Sequence, residues 1–175
     1  MLYVAIDPSG SFNEGKGHTG ITHLWDDDWE HMCTQEVSAK NYVNRHKYWE
    51  AVMHEAFTKF LYDDSGIHPE DITVIIESFV IRANGFTVGK MPETIQFIGA
   101  MIWELERRGI TNIVIQYPSQ AKPRFPDERL PEYIPNLIKK DSGFYFLNGK
   151  RINDHVRDSI KHMLFFKKYG GTKRD

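Results

Sequence analysis

Several acidic side chains and one imidazole stand where they could share a cation. Asp7 closes a continuous apolar run, Leu2-Tyr3-Val4-Ala5-Ile6, and Glu77 closes a second, Ile72-Thr73-Val74-Ile75-Ile76. The third contribution is Asp154-His155-Val156-Arg157-Asp158, at the start of a helical pattern. At about 100° per residue, Asp154 and Asp158 lie about 40° apart and His155 and Asp158 about 60° apart, so one arc of the helix carries all three. Such crowding of like charges costs free energy unless cations neutralise it. Hard oxygen ligands suit Mg²⁺ or Mn²⁺, and two such ions about 3.5 to 4 Å apart can clamp the attacking and leaving oxygens of a phosphodiester. Taken singly, a strand-terminal carboxylate is a turn residue and Asp154 a helix-start charge. Their order along the chain argues for a common centre, with either Asp154 or His155 able to approach an ion beside Asp158.

Those side chains need elements to carry them. The first apolar run, stopped by Asp7-Pro8-Ser9-Gly10, reads as a buried strand ending in a turn. Residues 19–25 and 30–37 predict a β-hairpin around Asp26-Asp27-Asp28, whose tip carboxylates read as solvated. Residues 45–62 carry Tyr48, Trp49, Val52, Ala56, Phe60 and Leu61 at helical spacing, ended by Asp63-Asp64-Ser65-Gly66. After the strand ending at Glu77, residues 92–108 predict a helix that starts near Pro92, stops before Gly109 and buries Ile95, Ile98, Ile102 and Leu105. Residues 110–116 form a further strand. The loop with Pro118, Pro123 and Pro126 excludes a regular element. A short helix is expected within 129–140 and a last helix over 153–169, with Val156, Ile160, Met163 and Leu164 as its apolar side; the 170–175 tail is expected to be mobile. Right-handed crossovers then set the strands ending at Asp7 and Glu77 side by side and parallel, with both carboxylates at one edge. The expectation is a single α/β domain over residues 1–175, a five-stranded mixed sheet with helices on both faces.

The same residues carry a resemblance. Ile6-Asp7-Pro8-Ser9-Gly10, Ile76-Glu77-Ser78-Phe79, Tyr117-Pro118-Ser119-Gln120-Ala121-Lys122 and the stretch from Asp154 to Ser159 resemble, in order and spacing, the RuvC-type Holliday-junction resolvases of the RNase H-like superfamily. Phage-encoded members look closest. The resemblance implies a Mg²⁺-dependent endonuclease that resolves four-way junctions or other branched DNA and leaves 5′-phosphate ends. Its ligand set carries over to Asp7, Glu77, His155 and Asp158, with Asp154 as an extra carboxylate that replaces or assists His155. Lys122 matches a lysine lying near the scissile phosphate in that family, and a two-fold homodimer is implied because two strands must be cut symmetrically. The helix over 92–108 is the candidate interface.

Further DNA contacts follow from residue type. Arg124, Arg157, Lys161, Lys167 and Lys168 are candidate phosphate contacts. Between Glu77 and the next helix, Phe79, Arg82 and Phe86 place aromatic faces and a cation where unpaired bases could stack.

Composition bounds the rest. The 175 residues are 41% apolar and 26% charged, ordinary globular values. Cys33 is the lone cysteine, which excludes an internal disulfide and a cysteine-based zinc site. No apolar run reaches the roughly 18 residues of a membrane helix, and Asp7 interrupts the stretch where a signal peptide would continue, so the expected setting is the cytoplasm. The net charge of −2 hides an asymmetry: residues 1–77 carry 5 Lys/Arg against 14 Asp/Glu, and residues 139–175 carry 10 against 4. Competing readings are another RNase H-like nuclease, of terminase type or cutting RNA–DNA hybrid, and a DNA-binding module without catalysis. An ATPase of the actin and sugar-kinase type would share the Asp7 turn but needs two such domains.

Overall fold

The computed structural model describes residues 1–9, 12, 17–58, 61, 66–78 and 93–170. Five strands build the main sheet: β1 (Leu2–Asp7), β2 (His18–Trp25), β3 (Cys33–Ser38), β4 (Ile72–Glu77) and β5 (Asn112–Gln116), in the order β3-β2-β1-β4-β5. β1 pairs antiparallel with β2 and parallel with β4, in a register that runs from Leu2↔Ile72 to Ile6↔Ile76. All of β4 is buried and nearly all of β1, the condition under which a strand reads as an unbroken apolar run.

Alternate side chains of the two central strands feed two cores. Leu2, Val4, Ile6, Ile72, Val74 and Ile76 pack under α1 (Arg45–Met53) and α2 (Glu93–Arg107), against Tyr48, Val52, Phe97, Met101 and Leu105. Ala5 and Ile75 face the other way, toward Val156, Ile160, Met163 and Phe165 of the last helix. The sheet is thus covered on both sides, as expected for this α/β architecture. No helix among the described residues is long and apolar enough to cross a membrane.

Several sequence expectations are corrected. The hairpin tip is longer than predicted, with Asp26 and Asp27 at positive φ and residues up to His31 held by turn hydrogen bonds, so β3 begins at Cys33. Past Met53 the first long helix loosens into a π-turn, His54–Thr58; Phe60 and most of the predicted stop signal lie outside the described residues. In α2 the buried row is Thr94, Phe97, Met101 and Leu105 rather than the isoleucine row, because Phe97 stacks at 5.0 Å on Trp49 and draws that side of the helix inward. The proline-rich loop contains a helical turn, α3 (Pro118–Ala121). Pro118 occupies its first turn, where the missing N–H costs nothing, and the Gln120 side chain accepts from the Tyr117 N–H at 2.8 Å.

The largest departure lies within 129–152. Only α4 (Leu130–Tyr133) is helical there. β6 (Leu137–Lys139), β7 (Tyr145–Leu147) and β8 (Lys150–Ile152) then form a separate antiparallel sheet in the order β6-β7-β8. Asn148 and Gly149, both at positive φ, make the tight β7–β8 turn, a two-residue Asn-Gly hairpin signal that lies beyond the 129–140 range in which a helix is expected. β8 runs directly into α5 (Asp154–Tyr169), where the Asn153 side chain accepts from the Val156 N–H at 2.9 Å and Gly170 closes the far end in the left-handed region.

Candidate metal centre

The parallel β1–β4 pair ends with Asp7 and Glu77 on neighbouring strands, and α5 brings Asp158 to them. Ligand oxygens of Asp7, Glu77 and Asp158 lie within 4.8 Å of one another. The approach of α5 depends on Gly20, which pairs with Asp7 across β2: a Cβ built there would lie 2.1 Å from the His155 carbonyl oxygen. A buried Thr22–Ser159 hydroxyl contact of 2.7 Å fastens the same two elements. On the other side, the Tyr48 hydroxyl donates to the Ser9 carbonyl at 2.8 Å and the Ser9 N–H donates to Thr19 Oγ1 at 3.1 Å, bracing the chain as it leaves Asp7.

The three carboxylates are held differently. Asp7 is buried and receives His155 Nδ1 at 2.8 Å. Burial raises its pKa, more than the His155 hydrogen bond lowers it, and the charge of Glu77 adds to the rise. Burial also pushes on Glu77, but His162 and Lys122 outweigh it and hold the carboxyl below its usual value. Asp158 is likewise held low, burial being outweighed by Lys122 and Lys161. The Lys122 ammonium sits between Glu77 Oε1 at 2.8 Å and Asp158 Oδ2 at 2.7 Å, and those hydrogen bonds keep it firmly protonated against its own partial burial. His155 is raised, first by the Asp7 hydrogen bond and against desolvation.

One test of fit to a divalent cation is whether the donor atoms are already used. Glu77 Oε2 is buried and makes no regular hydrogen bond among the described residues, although His162 Nε2 stands 3.0 Å from it. That incompletely satisfied oxygen, the all-oxygen donor set and a lysine ammonium serving as local counter-charge fit a hard cation held by Asp7, Glu77 and Asp158.

The structure sorts the other predicted residues. His155 reaches the cluster through Asp7, while Asp154 is exposed. Arg157 and Lys161, read from sequence as phosphate contacts, are committed to carboxylates instead. Arg157 Nε lies 2.9 Å from Asp127 Oδ2 with its guanidinium over Tyr145, and the buried Lys161 ammonium bridges Asp127 at 2.6 Å and Asp158 at 2.7 Å. Lys167 pairs with Asp27. Arg124 is exposed and lies over Phe165 and Tyr169. Phe79, Arg82 and Phe86 lie outside the described residues.

Sequence reasoning missed His162, Gln116, Asp127 and His18. His162 is fully buried with Nδ1 2.8 Å from Gln116 Oε1, so it fixes Glu77 from behind; its position four residues after Asp158, on the same helical side, was the available signal. His18 pairs with Glu36 and stacks on His155 with ring centroids 6.0 Å apart.

No protein-family model matches the sequence, and no curated protein does. Two solved structures of Thermus thermophilus RuvC do match, each with a TM-score of 0.56 and 17% identity. One, in complex with a Holliday junction substrate, is matched over 97% of this chain and 94% of its own; the other is matched over 98% of both. At that identity the likeness is one of fold: the five-stranded mixed sheet and its flanking helices match those of the RNase H-like RuvC fold.

Proposed function

We propose that this protein is a divalent-metal-dependent DNA endonuclease that cuts branched DNA, four-way junctions foremost, as a homodimer in the cytoplasm. The observation that carries the reading is the convergence of Asp7, Glu77 and Asp158 within 4.8 Å, from three separate elements of a fold shared with RuvC. Two Mg²⁺ ions, or Mn²⁺ in their place, would supply a nucleophilic water at neutral pH and neutralise charge building on the scissile phosphate.

The chain's own residues set the geometry. Asp7, Glu77 and Asp158 would hold the cations, with His155, now on Asp7, available as a fourth ligand and Asp154 tuning the site from its edge. Lys122 gives up its place between Glu77 and Asp158 and turns its ammonium to the DNA phosphate. His162 and Gln116 keep Glu77 aimed throughout. Hydrolysis by water leaves a 5′-phosphate and a 3′-hydroxyl with no covalent protein–DNA adduct.

The test is cleavage of a labelled four-way junction, a replication fork and a matched linear duplex with Mg²⁺, alongside Asp7→Asn. Junction cutting that requires both the metal and Asp7 supports the reading. Equal cutting of linear duplex removes the branched-DNA assignment, and cutting by Asp7→Asn removes the site.

A further inference from the structure

The cations that sequence reasoning assigned to DNA are mostly spent on carboxylates, whereas a different set is not. Lys139, Lys140, Lys150 and Arg151, on or beside the small β6-β7-β8 sheet, have no carboxylate partner among the described residues. The stretch from Leu137 to Ile152 carries those four cations against the single Asp141.

The sheet is two-sided. Leu137, Tyr145, Leu147 and Ile152 face the core beside Val156 and Ile160. The opposite face is the cross-strand row Ile138, Phe146 and Arg151, set in register across all three strands. Ile138 is 52% exposed and Phe144, just before β7, 45%. Cations lie over the rings: Lys140 Nζ is 4.2 Å from the Phe146 centroid and the Arg151 guanidinium 3.6 Å from that of Phe144. An exposed face that alternates flat aromatic and guanidinium surfaces with uncompensated positive charge suits a strand with stackable bases and a phosphate backbone. A duplex hides its base faces; an unpaired strand does not.

Its position ties it to the centre. Ile152 is followed by the Asn153 cap and then by the helix that carries His155 and Asp158. Lys150 and Arg151 also border a cavity of about 220 Å³ whose far wall includes Glu36, the partner of His18, which stacks on His155.

We infer that the outer face of the β6-β7-β8 sheet binds a single-stranded DNA segment leading to or from the metal centre, with Phe144 and Phe146 as stacking surfaces and Lys140 and Arg151 as phosphate contacts. This rests on the nuclease reading for its connection to the cut, but the binding is measured apart from cutting.

The experiment is fluorescence anisotropy of a labelled oligothymidylate and of a duplex, without divalent metal, for wild type, Lys140→Ala/Arg151→Ala and Phe144→Ala, with junction cleavage by wild type run in parallel. The double variant should bind the single strand about tenfold more weakly and reduce the salt slope by about 1.4 units, as for two lost phosphate contacts. Phe144→Ala should weaken the single strand several-fold and leave duplex binding unchanged. Unaltered single-strand binding by both variants, or no DNA binding by wild type, overturns the inference, and equal loss on duplex overturns the single-strand assignment. Variant-sensitive binding in a protein that cuts nothing leaves this surface standing and removes the nuclease reading.

Discussion

The metal centre and the small sheet handle positive charge in opposite ways. At the end of the main sheet three cations among the described residues are taken up by carboxylates: Lys122 lies between Glu77 and Asp158, Lys161 between Asp158 and Asp127, and Arg157 on Asp127. On the small sheet Lys140 and Arg151 lie over phenyl rings and meet solvent. Nearness to an acidic site therefore says little about which cations meet DNA. In a half-buried cluster, lysines and arginines are taken up in balancing the carboxylates, and only charge that is left over elsewhere remains for a polyanion. The two regions should accordingly fail in different ways, the first through chemistry and stability, the second through DNA binding and local structure.

The sharpest separation is Asp7→Asn or Glu77→Gln. Each removes one metal charge at constant volume and should slow cleavage by at least about a hundredfold, since several kcal/mol of charge stabilisation depends on the cation. Because burial already disfavours the Asp7 anion, the metal-free melting temperature of Asp7→Asn should stay level or rise, and added Mg²⁺ should stabilise wild type far more than the variant. Wild-type turnover by either variant would undo the site.

Next comes Lys161→Ala, which removes a cation shared by Asp127 and Asp158 while Arg157 and Lys122 remain on them. Denaturant unfolding should show a loss of about 2 kcal/mol, as for lost hydrogen bonds to charged groups. A loss near zero would mean the cluster does not depend on its internal cations, and the contrast between the two regions would collapse.

Gly20→Ala sits third. Its methyl group would collide with the His155 carbonyl, so α5 must shift, at about 2 kcal/mol of stability and with a drop in cleavage. A variant that kept full activity would show that α5 tolerates displacement at the site.

His155 gives a smaller and pH-dependent effect. Its pKa is raised in the fold, so its pairing with Asp7 supports the metal-free protein fully below about pH 6.5 and that support is lost as pH rises through the raised value. The melting temperature of wild type should fall across that window relative to His155→Ala; parallel curves would contradict the pair. In cleavage, His155→Ala should lose most activity and Asp154→Asn much less, while His155→Asp should keep metal-dependent cutting with a lower acid limb. The reverse ranking would make Asp154 the ligand.

Smallest is Gly149→Ala. It places a side chain at φ +79° in the β7–β8 turn and should cost about 1 kcal/mol, read by unfolding.

The sequence was most readable where burial and hydrogen bonding leave one solution. The runs ending at Asp7 and Glu77 could only be central strands, and their pairing side by side followed from crossover handedness, so the acidic edge was visible before any coordinates. α5 was visible for the same reason, its apolar row being unbroken from Val156 to Leu164. The small sheet was not: its strands are three residues each, too short for period-two alternation to stand out, although Asn148-Gly149 marks a tight turn. The α2 row was displaced because Phe97 found Trp49, a tertiary contact that no local pattern encodes. The burial of Lys161, a candidate phosphate contact by residue type, was not legible because its two acidic partners come from different segments, Asp127 and Asp158.

The hydrogen bond from His155 to Asp7 joins residues 148 positions apart. Such a contact has a consequence in time. At translation rates of about 5 to 20 residues per second, roughly 7 to 30 seconds separate the synthesis of Asp7 from that of His155. The sheet can begin to fold on the ribosome while its acidic edge still lacks Asp158, so a nascent chain that already resembles the finished protein in outline has no complete acidic cluster with which to hold a cation.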